Sequence, residues 1–208
     1  MVSHSTTLPC PPPEVEQRTD DLYMQKAHLN PAVMLSMRKH IRDYIVKTVG
    51  INCLTTKPSN LLMWAHYASA HTGFCVRFNR EKLANHFLEL WKTRRTLITP
   101  HPVEYHRKFP AYNHFTANDF EKLRITLLIK SKEWKYEDEY RLMFHGGANK
   151  TYQLADGIID QVIMGCEISN ANEQLVTNAM RARNDRIQLL KARKNDDGFG
   201  VHFETINY

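Results

Sequence analysis

The chain has 208 residues, 28 Lys and Arg against 22 Asp and Glu, and a net charge of +6. At 42% hydrophobic and 24% charged residues it has an ordinary globular composition. Collagen-like, disulfide-rich and wholly disordered classes are excluded, and no apolar run reaches the roughly 18 residues of a transmembrane span.

The first twenty residues read as a disordered, proline-rich leader, with Pro11, Pro12 and Pro13 in sequence. No cationic segment followed by an apolar run marks a secretory signal. Cys10, Cys53, Cys75 and Cys166 are scattered, without a CxxC pair, as in reduced cytoplasmic proteins. Residues 21–208 are then expected to form one domain.

Asn30 and Pro31 open a helix that Gly50 can stop, with Met34, Met37, Ile41, Tyr44 and Ile45 on one inward stripe. Ile51–Thr55 is a short strand, Pro58-Ser59-Asn60 a turn and cap, and Leu61 to about Ala70 a helix ended by Gly73. Phe74–Phe78 is a strand, with Phe74, Val76 and Phe78 on one face. Asn79 caps a helix through Trp91, with Leu83, Phe87 and Leu90 inward.

Thr99 to Thr116, broken by Pro100, Pro102 and Pro110, reads as a long loop around a short strand at Val103–His106. A helix from Asn118 to about Lys130 turns Phe120, Leu123 and Leu127 inward. Tyr140–His145, Ile158–Met164, Ile187–Leu190 and Val201–Ile206 are strands, and Asn170–Arg183 is a helix. Helices and strands mix without a steady βα rhythm, so the expected class is α+β, a single domain with a central mixed or antiparallel sheet flanked by helices.

Two constellations stand out. The first, Trp64-Ala65-His66-Tyr67 followed by His71 and Gly73, is dense in chemistry-bearing side chains. On a regular helix His66 and His71 diverge by about 140°, so they are a poor pair for one metal ion, and no metal site is expected. Trp64 and Tyr67 read equally well as buried anchors with hydrogen-bonded polar tips.

The second is Lys130, Trp134, Glu137, Glu139 and Arg141. Extended backbone places Glu137, Glu139 and Arg141 on one face and Tyr140, Leu142 and Phe144 on the other, apolar one. Arg141 would lower the pKa of a neighbouring carboxylate and a second carboxylate would raise it. An edge strand facing water is the plainer reading of the same charges.

Together the segments resemble the bacterial family called domain of unknown function twenty-nine seventy-one. The resemblance covers roughly residues 50–170. It rests on W-x-H-Y-x-x-x-H-x-G-F-C-x-x-F from Trp64 to Phe78, K-x-x-x-W-x-x-E-x-E-x-R from Lys130 to Arg141, Val103-Glu104-Tyr105, and the strand Ile159–Met164 that leads into Gly165. The family's usual asparagine-aspartate-proline-phenylalanine segment has no counterpart before Ile51. That departure implies a truncated, misannotated-start or degenerate member, with what the segment supplies missing or replaced.

The family name carries no activity. Glu-x-Glu entering an apolar strand is similar to the catalytic motif of ADP-ribosyltransferases, where a fixed negative charge steadies a developing oxocarbenium. That likeness implies NAD as substrate, Glu139 as catalytic carboxylate and Glu137 toward the acceptor, with His66 beside them. It implies Tyr67 or Trp64 stacking nicotinamide, Thr55 bracing the pocket, and His71, Lys130, Trp134 and Arg141 completing the binding residues.

Two other classes stay open. One is a non-enzymatic binding or interaction module in which the same residues form a recognition pocket or tie the sheet together. The other acts on nucleic acid, with Arg181, Arg183, Arg186, Lys191, Arg193 and Lys194 on phosphate and the carboxylates on magnesium. For that basic block a solvated helix end and strand is preferred to a nucleic-acid contact.

Overall fold

The computed structural model describes residues 30–94, 97–112 and 116–208. The proline-rich leader and Cys10 lie outside these residues.

The chain runs α1 (Pro31–Thr48), β1 (Val49–Thr55), α2 (Leu61–Tyr67), β2 (Phe74–Phe78), α3 (Arg80–Arg94), β3 (Ile98–Pro102), β4 (Glu104–His106) and α4 (Asp119–Leu127). It continues with β5 (Ile129–Ser131), a 3-10 helix (Lys132–Glu137), β6 (Glu139–His145), β7 (Ile159–Met164), α5 (Asn170–Arg181), β8 (Gln188–Lys194) and β9 (Val201–Thr205). The class is α+β, with helices around mixed and antiparallel sheets.

Side-chain caps set the helix starts. Asn30, Asn60, Asn118 and Ser169 each accept from a backbone N–H of the following first turn. The spacing of apolar residues then buries Leu83 and Leu90 of α3 and Leu123 and Leu127 of α4.

The sheet is divided rather than continuous. β6 is the centre of an antiparallel trio ordered β1-β6-β3. β2-β7-β8-β9 is mixed: β7 and β8 are parallel, joined through α5, while the other pairs are antiparallel. β4 and β5 form a parallel pair that sets Tyr105 opposite Lys130.

Three expectations change. Ile98–Pro102 is a strand, not loop; β3 is an edge strand, where a proline's missing N–H costs no ladder bond on the open side. Phe120 is 54% exposed rather than inward, its ring centroid 6.0 Å from that of His101. Of the α1 stripe, Ile41 and Ile45 meet Leu123, Leu127 and Met143, Met34 and Met37 are half-buried, and Tyr44 is exposed rather than inward.

The helix of the first constellation also ends early. It stops at Tyr67, and Ser69, Ala70 and His71 follow at φ 48°, 54° and 67°. Consecutive left-handed residues that are not glycine are costly and persist only where surrounding contacts hold them. Here Gly73 N donates to Ala68 O (2.9 Å), Glu167 N to His71 O (3.1 Å) and Gly165 N to Gly73 O (2.8 Å).

Candidate functional site: a buried carboxylate network beneath aromatic rings

The two sequence constellations meet. Glu139 is the first residue of β6, opposite Thr55 of β1 in register. Glu137 closes the 3-10 helix, and Asp138 between them takes a left-handed conformation at φ 47°. That kink brings the side chain of Glu137 to the one of Glu139 although only Glu139 is in the strand. Both are buried, 2% and 6% exposed.

Two cations hold the pair. Lys130 Nζ donates to Glu137 Oε2 and to Glu139 Oε2, the latter at 3.2 Å. Arg141 Nε reaches Glu139 Oε1 at 2.7 Å, its Nη2 reaches Oε2 at 3.2 Å, and its Nη1 donates to the Leu127 carbonyl. The remaining Glu137 oxygen accepts from the Tyr67 hydroxyl at 2.7 Å. Every carboxylate oxygen therefore has a partner, as burial of charge demands.

Burial alone would raise the Glu139 pKa. Hydrogen bonds from Arg141, Cys53 and Lys130 outweigh it and hold the carboxyl down at about 2. Burial opposes the charge on Lys130 too, yet the two glutamates raise its pKa above the ordinary value. The Tyr67 hydroxyl is pushed up to about 12, first by donating to Glu137. Loss of water around the sulfur, then the Glu139 carboxylate, push the Cys53 thiol up to about 11.

Backbone contacts lock the frame. Thr55 Oγ1 donates to the Glu137 carbonyl at 2.6 Å, and Asn60 Nδ2 to the Tyr136 carbonyl at 2.8 Å. Glu139 N donates to the Tyr105 hydroxyl at 2.9 Å, and Val103 N to the Glu139 carbonyl at 2.9 Å.

Above the network stands a ring cluster. His66 lies 6.5 Å from Tyr67, 6.2 Å from Trp134 and 6.3 Å from Tyr136, centroid to centroid. Trp134 and Tyr136 are 6.0 Å apart, and Lys130 Nζ is 5.0 Å from the Trp134 ring centre. Tyr67 is 62% and Trp134 38% exposed, so rings face water while the charges beneath do not.

The structure thus gathers Glu137, Glu139, Lys130, Arg141, Thr55, Tyr67, His66 and Trp134. Two expected residues are elsewhere. Trp64 is 3% exposed and its indole N–H donates to the Pro58 carbonyl at 2.7 Å, so it cannot stack on a ligand. His71 sits in the left-handed turn, tied by backbone bonds to Trp64 and Glu167. Cys53, Asn60, Tyr105 and Tyr136 were missed. Tyr105 had a signal, the Val103-Glu104-Tyr105 strand, but only the β4–β5 pairing reveals its target.

Lys130 stands between the two carboxylates, where a shared cation such as magnesium would need to sit. Among the described residues no group of three His, Cys, Asp or Glu could hold a metal ion. The basic block is also divided. Arg183 pairs with Asp185 at 2.6 Å, Arg193 with Glu204 at 2.8 Å, Lys194 with Glu167 at 2.5 Å, and Lys191 with Glu173. These partners offset much of the block's charge. No helix among the described residues is long and apolar enough to cross a membrane.

Fold and site define an α+β domain built around a buried carboxylate–cation network with aromatic rings at its mouth. Residues 63–142 match the family described as "Protein of unknown function (DUF2971)", the family that the two motifs resemble. No curated protein and no solved structure matches the chain.

Proposed function

We propose that the ring cluster over the carboxylate network is a recognition site for a ligand carrying a flat, electron-poor ring, with the nicotinamide end of NAD the candidate. The observation that carries this reading is the pairing of exposed rings with a buried, oriented charge network. Tyr67 is anchored by its hydroxyl and keeps its ring largely in water. A cationic pyridinium ring is attracted to such faces by their quadrupole, and rigid anchoring lowers the entropy lost on stacking. On this reading the glutamates are positioning residues, and the protein is a binding module.

A second reading adds chemistry, that of an ADP-ribosyltransferase-like or NAD-cleaving enzyme. It is favoured by the place of Glu139, ionised at the mouth of the central strand two residues after Glu137. Cleavage would break the ribose C1′–N bond, its electron pair leaving with nicotinamide. Water or an acceptor nucleophile would add at C1′ and lose its proton. Glu139 would have to exchange Lys130 or Arg141 for a ribose hydroxyl, since both its oxygens are taken.

One experiment separates the readings. NAD is titrated into wild type and Glu139→Gln while tryptophan fluorescence and released nicotinamide are followed. Saturable binding without release supports the module, and release lost in Glu139→Gln supports the enzyme. Equal release from both removes the catalytic role of Glu139, and absence of binding at millimolar NAD removes the nicotinamide reading.

A further inference from the structure

A second cavity lies on the opposite face of β6, bounded by β1, α3 and the 147–154 segment. Its volume is about 450 Å³, within the range of small-molecule sites. None of the carboxylate-network residues lines it.

Its inner wall is aromatic. Phe144 meets Phe87 edge-on, with centroids 6.2 Å apart, and lies tilted against Tyr152 at 5.0 Å. Gly147 makes this wall: a Cβ there would fall 2.6 Å from the Tyr152 hydroxyl and 2.7 Å from the Phe144 Cβ. Lys150 is the one formally charged residue in its lining, and no Asp or Glu is among the described lining residues.

We propose that this cleft binds a small organic acid with a planar apolar body. The ring packs against Phe87, Phe144 and Tyr152, and the carboxylate is held by Lys150. Charge complementarity selects an acid over a neutral or cationic ring, because Lys150 brings a positive charge and the described lining holds no carboxylate. This inference is independent of the nicotinamide reading, which concerns the other face of β6.

The test uses the full chain and two probes, 3-phenylpropanoate and its neutral amide, titrated calorimetrically. The expected result is saturable binding of the acid, at least tenfold tighter than the amide. Lys150→Gln should weaken the acid at least tenfold and leave the amide unchanged. Lys150 is exposed, so its replacement spares the core, and Arg77→Gln, outside the cleft, should leave both affinities alone. No binding of the acid, equal binding of acid and amide, or an unaltered affinity in Lys150→Gln would overturn the proposal.

Discussion

The Tyr67 hydroxyl lies 2.7 Å from Oε1 of Glu137, across 70 residues of sequence. This bond joins the end of α2 to the end of the 3-10 helix. It turns two separate motifs into one site: the buried carboxylates hold the ring from below, and the ring covers them.

Lys130 is the residue both glutamates share. Lys130→Met should destabilise the fold by about 3–5 kcal/mol, since it leaves buried carboxylates without their common cation. Urea denaturation reads this directly. A loss below about 1 kcal/mol would mean that Arg141 and Tyr67 suffice.

Acid should unfold the protein partly through Glu139. Its carboxyl titrates near 2 when folded, against 4.5 ordinarily. The unfolded chain therefore binds the proton first, and stability rises with pH between these values. The contribution is complete above about 4.5 and is lost as pH falls through about 2. Thermal melts from pH 2 to 6 should show this slope in wild type and a flatter one in Glu139→Gln.

Cys53 reports on the same carboxylate. With the thiol pushed up to about 11, little thiolate exists at pH 7.5, and alkylation by iodoacetamide should be slow. In Glu139→Gln the negative neighbour is gone, so the Cys53 rate, followed by peptide mass spectrometry, should rise several-fold. Burial of the sulfur is the larger cause and stays, so the rate should remain below that of a free thiol.

Gly165 supports the left-handed turn from the other side. A Cβ there would come 2.0 Å from the His71 carbonyl oxygen, which is backbone and cannot step aside cheaply. Gly165→Ala should cost roughly 1–3 kcal/mol or more in urea denaturation. The variant should also disturb Tyr67, because α2 leads directly into that turn.

Local signals carried much of the fold. Asn caps marked α1, α2 and α4, and apolar spacing marked the buried faces of α3 and α4. The failures were tertiary. Pro100 and Pro102 hid β3, because sequence does not say which strand is an edge. Helical spacing in α1 did not reveal that Tyr44 would stay exposed. Nothing local in Ser69-Ala70-His71 announces a left-handed run, since none is glycine.

The site was legible as two groups of residues and not as one network. Strand alternation puts Glu137 and Glu139 on one face; their side chains meet at Lys130 through the kink at Asp138 instead. Burial of both could not be read, because it depends on Lys130 arriving from β5. Trp64 shows the converse: a residue type suited to stacking is spent on the Pro58 carbonyl. The basic block likewise met its partners Glu167, Glu173 and Glu204 only in the fold.

That the two motifs form one energetic unit is tested most directly by a double-mutant cycle on Tyr67→Phe and Glu137→Gln, read by urea denaturation. A coupling of at least about 1 kcal/mol is predicted, as for a hydrogen bond to a charged group. Additivity within about 0.5 kcal/mol would contradict it and leave the motifs as neighbours without a common site.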